Sequence, residues 1–280
     1  MPSALDAVSF SAIKTKCMRD ELVLATGTSF LFGFEEGDYL VTARHNLTGR
    51  HADTNELLGA GAIPNQLEIL TVVSSAARTG VTSQLVTGRA HRIRFDTLSN
   101  EGSELAAYGH PDGPTVDVAC IGPFAREEEL MTRAVNHEGY DLTPLQLAAG
   151  DDAFVLGYPN FVDGGAPFMP IWKRASLASY PHSADGSVLP SKVLLDTATR
   201  NGMSGAPVFV RQSGFIIPTP PYQREALLGD EIIGTAIDFL GCYTARFAER
   251  DALDSQLGIV WTRQAIEETI RGRTVMDLPD

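Results

Sequence analysis

The chain has 280 residues, of which 44% are hydrophobic, and its formal net charge is −13. This length allows one large core or two small ones, and the acidic balance argues against nucleic acid as the main partner because phosphate binding depends on clustered lysine and arginine. No apolar run approaches the ~20 residues needed to cross a bilayer, and the first six residues lack the basic and apolar parts of a secretory signal, so we expect no membrane partner.

Short apolar or alternating segments follow one another along the chain, separated by turns rich in glycine, proline and aspartate. This spacing predicts antiparallel strands closed into barrels or sandwiches. The predicted strands include residues 22–24, 39–43, 67–73, 116–121, 154–156, 193–195 and 232–237. Two helices are predicted, a weak one over residues 125–131 and a stronger one over residues 262–271. In the second, Thr262 is a candidate cap, and Ile266 and Ile270 share one face.

The first segment with evident chemistry is residues 39–47, where a hydrophobic strand ends in a short turn that carries His45. Histidine titrates near physiological pH, so a histidine held at a strand end can accept a proton from a serine and return it. A lone histidine is more often a surface residue or a core group with satisfied hydrogen bonds. His45 therefore needs partners elsewhere in the chain.

Asp117 stands at the head of the apolar run 118–121. A carboxylate at such a position is costly to desolvate unless it is paired. A histidine N–H is a natural partner, and the pairing would hold the tautomer that a serine nucleophile needs. Asp117 is therefore the candidate partner of His45.

Residues 201–207 read Asn-Gly-Met-Ser-Gly-Ala-Pro and precede the apolar run 208–210. A serine hydroxyl is a poor nucleophile at neutral pH, so Ser204 needs a base and a charge stabiliser. The flanking glycines permit backbone dihedrals closed to other residues, and the N–H groups around Ser204 can then converge on one point, as an oxyanion hole requires. The same pattern also occurs in tight turns before strands, and the upstream histidine and aspartate favour the catalytic interpretation.

His45, Asp117 and Ser204, in this order and each within its own motif, resemble the trypsin-like (chymotrypsin-fold) serine peptidases. The resemblance is nearest to the disulfide-free bacterial HtrA/Deg-like branch, without a PDZ domain. It covers roughly residues 20 to 272. Four further segments match the family: residues 26–30 before the histidine, the Gly-Tyr-Pro turn at 157–159, the strand 231–236 after the serine, and the closing strand 257–260 with a helix behind it.

The resemblance implies an all-β fold of two six-stranded antiparallel barrels with a C-terminal helix. The N-terminal barrel, residues 1–140, would carry the histidine and the aspartate, and residues 141–280 would carry the serine and the terminal helix. The segment 136–152, with its proline and glycine, is the predicted connector. The active site is expected in the cleft between the two barrels.

The same resemblance implies a serine endopeptidase that acts through an acyl-enzyme at Ser204. His45 would be the base, and Asp117 would orient it. The backbone N–H groups of Gly202 and Ser204 would form the oxyanion hole. The substrate would be a protein or a peptide.

The separation of 72 residues between His45 and Asp117 is longer than the family usually shows. It indicates an insertion around residues 51–63 or 91–114. The insertion brings in a competing acid, Asp96. We favour Asp117 because an apolar strand follows it, as in the family, whereas a polar stretch follows Asp96.

The specificity pocket is expected to lack a charge. Ala198 stands six residues before the serine, where trypsin-like enzymes place the acid that selects lysine or arginine. With Thr199 beside it, and with Thr235 and Ala236 on the strand that would wall the cleft, a small or apolar residue is predicted before the cleaved bond. Asp238 would reverse this prediction if it reached the pocket.

Met203 precedes the serine at the position where secreted digestive and clotting relatives carry an aspartate. That aspartate pairs with a newly cut N-terminus, and a methionine cannot do so. Removal of a propeptide is therefore not expected to be the switch.

Two other functions compete with an active peptidase. One is a catalytically silent pseudo-protease that acts as a protein-binding module. The other is an esterase of the α/β-hydrolase class, but its motif requires glycine two residues after the serine, where this chain has Ala206, and its triad residues occur in a different order.

Three cysteines are too few and too scattered for a disulfide framework. Cys120 and Cys242 lie in apolar runs and are predicted to be buried thiols, which indicates a reducing, cytoplasmic setting. The sequence contains no Cys/His cluster with metal-ligand spacing and no phosphate-binding loop of the G-x-x-x-x-G-K type. We therefore expect neither a metal nor a cofactor.

Overall fold

The computed structural model describes residues 7–59, 61–75, 85–98, 105–125, 130–164, 168–181, 191–216, 232–246 and 256–278. In these ranges the strands are joined in two antiparallel units. The helix predicted over residues 125–131 falls mostly on residues 126–129, which lie outside the described part of the chain.

The elements are numbered in chain order. The helices are α1 (Arg44–Thr48) and α2 (Arg263–Gly272). The strands are β1 (Ala12–Arg19), β2 (Leu22–Phe34), β3 (Gly37–Ala43), β4 (Gln66–Ser75), β5 (Leu85–Arg94), β6 (Ala106–Gly109), β7 (Val118–Phe124), β8 (Asp152–Gly157), β9 (Ile171–Leu177), β10 (Lys192–Asp196), β11 (Ala206–Ile216), β12 (Ile232–Arg246), β13 (Leu257–Thr262) and β14 (Thr274–Val275).

The N-terminal unit is an eight-stranded sheet with the order β14-β6-β7-β3-β2-β1-β4-β5, which differs from the predicted six strands. At one edge, β4 and β5 form a long hairpin that holds much of the chain between the histidine and the aspartate. At the other edge, Thr274 of β14 pairs with Gly109 of β6. Residues 274–275 thus return to the first unit and add a strand to it. The number of strands differs from the prediction because it depends on such pairing between distant segments.

The C-terminal unit is a closed six-stranded barrel with the order β10-β13-β12-β11-β8-β9, as predicted. Its interior is filled by fully buried aliphatic side chains, among them Val155, Leu195, Val208 and Val260. Every ladder between named strands in the described residues is antiparallel. This excludes the α/β-hydrolase alternative, whose core sheet is mostly parallel.

The two units share one apolar cluster. Phe30 of β2 packs edge-on against Phe239 of β12 with ring centroids 5.5 Å apart, and Phe209 of β11 packs against Phe239 at 5.6 Å. Such pairs add about 0.5–1.5 kcal/mol beyond their area burial. Because side chains from both units meet in this cluster, the groove between the units has fixed walls.

Helix α2 confirms the predicted terminal helix. Ile266 and Ile270 are buried on one face, as the sequence pattern predicts. The prediction that Thr262 caps the helix is wrong in part, because Thr262 occupies the cap position but its side chain makes no capping hydrogen bond. The buried face, rather than a side-chain cap, holds the helix in place.

Cys17, Cys120 and Cys242 are free thiols, and all three are buried, which confirms the prediction for Cys120 and Cys242. Burial raises the pKa of Cys17 to about 12. Among the described residues, no helix has the length and apolar character to span a bilayer, and no group of His, Cys, Asp and Glu side chains has the arrangement of a metal site.

Candidate active site

His45 lies on the short helix α1, which begins directly after β3. The antiparallel pairing of β3 with β7 brings the residue before β7 beside the residue after β3, and the Arg44 N–H donates to the Asp117 carbonyl oxygen over 3.2 Å. Leu47 is fully buried and anchors α1 on the sheet. The histidine and the aspartate, distant in sequence, thus meet at the ends of two neighbouring strands.

Asp117 makes two hydrogen bonds to His45. Its Oδ2 lies 2.7 Å from Nδ1 of the ring, and its Oδ1 accepts from the His45 backbone N–H over 3.0 Å. An ionised carboxylate can only accept, so Nδ1 carries the hydrogen and Nε2 is left as an acceptor. The Asp117 side chain is 6% exposed and that of His45 is 16% exposed. The acid is therefore shielded from water, while part of the imidazole remains accessible.

Two opposing effects set the pKa of His45. Burial lowers it, whereas the negative charge of Asp117 and the hydrogen bond to it raise it, and the net result is a pKa above the ordinary histidine value. The competing acid, Asp96, instead forms an exposed ion pair with Arg94. The carboxylate next to His45 is Asp117.

Ser204 lies in a tight loop before β11 that depends on two glycines. Gly202 and Gly205 have φ angles of +94° and +87°, in the region that favours glycine. A Cβ on Gly202 would clash with the carbonyl oxygen of Tyr158, and one on Gly205 would clash with that of Thr28. Both neighbours are backbone atoms, so the loop requires glycine for its dihedrals and for its close packing.

Thr28 of β2 docks this loop on the N-terminal unit. Its N–H donates to the Ser204 carbonyl oxygen over 2.8 Å, and its hydroxyl donates to the Gly202 carbonyl oxygen over 2.7 Å. In the described residues, the His45 ring makes no hydrogen bond to the Ser204 hydroxyl. Catalytic hydrogen bonds are often long without substrate and tighten when it binds.

The loop offers the two N–H groups predicted for an oxyanion hole. Within the described residues, neither the Gly202 nor the Ser204 N–H donates to a protein acceptor, whereas the N–H of Met203 between them donates to the Arg200 carbonyl oxygen over 3.2 Å. Met203 itself is buried in the core of the C-terminal barrel. Two such donors beside a serine match what is expected of an oxyanion hole.

Asn46 links the histidine helix to the serine loop, a role that the sequence analysis missed. Its Nδ2 donates to Thr42 Oγ1 over 2.9 Å and to the Ser204 carbonyl oxygen over 3.1 Å. A Cβ on Gly27 would lie only 2.7 Å from Nδ2 of Asn46, so the missing side chain of Gly27 makes room for this amide. The residue after the histidine therefore holds the backbone of the serine.

We expect Asn46→Ala to lower kcat by about 10²-fold with little change in KM, because misplacement of a reacting group by about 1 Å has this cost and the amide contacts the loop rather than a substrate. The matched control is Asn136→Ala, because Asn136 clamps the backbone of Gly33 with two hydrogen bonds of 2.8 Å in another part of the sheet. Steady-state kinetics at equal folded fraction measures the difference. An equal loss of kcat in both variants would contradict the positioning role.

The register of β11 and β12 corrects the predicted pocket wall. The β12 residue beside the serine loop is Tyr243, whose carbonyl oxygen accepts the Gly205 N–H over 2.7 Å. Thr235 and Ala236 pair with residues far along the hairpin, and Ala236 is seven residues, roughly 23 Å, from Tyr243 along the strand. Tyr243 therefore replaces Thr235 and Ala236 as the β12 residue next to Ser204.

The other two predicted pocket residues, Ala198 and Thr199, do lie on the loop that leads to Ser204. The Thr199 hydroxyl is hydrogen-bonded to the hydroxyl of Tyr243, and both side chains are buried. This contact joins the loop to β12. No periodicity or motif in the sequence signals it, because Tyr243 reads as one more apolar position in a strand.

Asp238 does not lie beside Ser204. It pairs with Val210, and its carboxylate accepts the N–H groups of Leu145 (3.1 Å) and Phe239 (2.8 Å). Burial raises the pKa of Asp238 to about 6, although these two donors and Arg263 lower it. Its function in the structure is to tie the connector to the barrel.

Comparison with known proteins identifies the family. The sequence matches the model of the trypsin-like peptidase domain over residues 27–217, more than half of the chain, and this range contains His45, Asp117 and Ser204. No curated protein matches the sequence.

Among solved structures, the chain is similar to the active form of the Rv3671c protease from M. tuberculosis (TM-score 0.48, 15% identity, 99% of this chain and 87% of that chain). It is also similar to the serine endoprotease from Yersinia pestis (TM-score 0.47, 12% identity, 98% and 69%). The chain belongs to the trypsin-like serine peptidases.

Proposed function

We propose that this chain hydrolyses peptide bonds in proteins or peptides through an acyl-enzyme intermediate at Ser204. The observation that carries the proposal is the 2.7 Å hydrogen bond between His45 Nδ1 and Asp117 Oδ2. It leaves Nε2 free to act as a base. The next residue on the same helix, Asn46, holds the backbone of Ser204. The base and the nucleophile are thus held by one short connection.

In the first half of the reaction, Nε2 of His45 takes the proton of the Ser204 hydroxyl as Oγ attacks the carbonyl carbon of the substrate. Asp117 stabilises the imidazolium that forms and keeps the ring oriented. The carbonyl electron pair moves onto oxygen, where the N–H groups of Gly202 and Ser204 stabilise the negative charge.

In the second half, the electron pair returns, the C–N bond breaks, and His45 donates its proton to the leaving amine. A water molecule then loses a proton to His45 and attacks the ester on Ser204. The ester bond breaks, and the proton returns to Oγ as the carboxylic product leaves. These steps use only side chains and N–H groups of this chain, so the proposed chemistry needs no cofactor.

A fluorophosphonate probe tests the proposal. It reacts only with a serine whose hydroxyl is activated by a base, so we expect one adduct, located on Ser204 by mass spectrometry of proteolytic fragments. The exposed Ser213 on β11 serves as the internal comparison and should stay unmodified. A folded protein without any adduct would favour the alternative, a catalytically silent module that binds protein partners.

We also propose that the protein works in the reducing environment of the cytoplasm. The support is chemical: the described chain holds three cysteines as free, buried thiols. A fold stabilised without disulfides does not require an oxidising compartment.

A further inference from the structure

A substrate bound at Ser204 would place one side chain in the space beside the serine loop, which we call the cavity. A substrate carbonyl oxygen bound by the N–H groups of Gly202 and Ser204 belongs to the residue before the scissile bond. The side chain of that residue must project away from His45, which lies on the N-terminal unit, and hence toward the C-terminal barrel. There the walls would be the loop from Thr197 to Met203 and the neighbouring residues of β12 and β13, since Tyr243 is hydrogen-bonded to this loop and Gly258 lies against its ring.

The ring of Tyr243 occupies the space between these walls. Tyr243 is only 2% exposed, and its hydroxyl is hydrogen-bonded to Thr199 Oγ1 on the loop. On the other side, a Cβ on Gly258 of β13 would lie 2.5 Å from Cε2 of the ring. One edge of the ring therefore lies close to Gly258 of β13, and its hydroxyl reaches the loop at Thr199.

We propose that Tyr243 closes this cavity and restricts the residue before the cleaved bond to glycine, alanine or serine. The proposal rests on the proposed function and adds the substrate class to it. Larger side chains would have to displace the ring. Among the described residues of these walls, Ala198 and Thr199 are uncharged, and the Asp238 carboxylate is bonded to the connector, so these residues do not favour a basic side chain.

The ring is held in place at both ends. The backbone of Tyr243 is tied to the serine loop through the Gly205 N–H, and the hydroxyl end is tied to Thr199, which is itself buried. Swinging the ring out would break this buried contact between the two hydroxyls, which is unfavourable. The ring position that closes the cavity is thus the stable one.

The test is a cleavage profile on a peptide library, read by mass spectrometry, for the wild type and for Tyr243→Val. We expect the wild type to cleave after alanine about 10²-fold faster than after leucine or phenylalanine, the size of discrimination that a hydrophobic pocket provides. Tyr243→Val should reduce this ratio below about 10-fold by opening room for leucine. Tyr243→Phe should keep the preference for small residues, because the volume of the ring is what excludes larger ones.

Tyr140→Val is the matched control, because Tyr140 is also a buried tyrosine with a hydrogen-bonded hydroxyl, outside the cavity. It should leave the profile unchanged. Comparable wild-type cleavage after alanine and leucine would overturn the proposal, even if Tyr243→Val failed to fold. An unchanged profile in folded Tyr243→Val would do the same. The fluorophosphonate adduct on Ser204 is measured separately, so a failure of the proposed function is distinguishable from a failure of this inference.

Discussion

Ser204→Ala is expected to lower kcat for a peptide substrate by about 10⁶-fold, the loss observed when the nucleophile of such a triad is removed. Without Oγ no ester can form, and the remaining rate comes from water attack assisted by the N–H donors. The free energy of unfolding should change by less than about 1 kcal/mol, because the Ser204 carbonyl, not its hydroxyl, makes the bonds to Thr28 and Asn46 that dock the loop.

The control for this variant is Ser213→Ala. Ser213 lies on β11, the strand that follows the same loop, and its hydroxyl pairs with that of Thr235 at an exposed position. We expect Ser213→Ala to keep the full activity of the wild type. Progress curves under saturating peptide measure both variants, and a Ser204→Ala rate within about 10²-fold of the wild type would assign the nucleophile to another residue.

Asp117→Asn is expected to lower kcat by about 10⁴-fold while leaving the fold intact, because the amide no longer holds His45 in the tautomer with the hydrogen on Nδ1. The pH profile should shift as well. His45 works in its neutral form, so activity falls as the pH drops through its pKa. Asp117 raises that pKa, so in the variant the acid limb of kcat/KM should move to lower pH.

Asp96→Asn provides the comparison for the aspartate. Its carboxylate is paired with Arg94 at the surface, and exposed pairs of this kind contribute about 0–1 kcal/mol. We expect wild-type kcat and an unshifted pH profile. A loss of activity in Asp96→Asn equal to that in Asp117→Asn would contradict the assignment of the acid.

The motif residues were predictable because each depends on its close neighbours. Gly202 and Gly205 are required by the dihedrals of the serine loop, and the strand that ends at His45 is visible as an apolar run. Asp117 was favoured over Asp96 for a local reason too, the apolar strand that follows it. The antiparallel strands and the terminal helix follow from the spacing of short strands and from one apolar helical face, whereas the cleft between two β-units was implied by the family resemblance.

Asn46 and Tyr243 were not predictable from their own segments. Asn46 matters because its amide reaches the carbonyl of Ser204, which is 158 residues away in sequence. Tyr243 is beside Ser204 only because β12, 15 residues long, meets the serine loop near its C-terminal end. Thr235 and Ala236 were assigned to the pocket because the segment 231–236 resembles the family's strand that follows the serine and walls the cleft.

The amino-acid order alone was enough to predict the antiparallel strands and the terminal helix, since short-range backbone preferences and apolar spacing encode these features. The candidate reacting groups, the two-part β architecture and the peptidase family were predicted from the resemblance of whole motifs to the trypsin-like peptidases. The three-dimensional packing determined which strand ends lie next to each other. It thereby placed His45 against Asp117, the Asn46 amide against the Ser204 carbonyl oxygen, and Tyr243 beside the serine loop. The reason is that strand register and loop docking depend on the sum of many contacts between distant segments, and no single segment carries that sum.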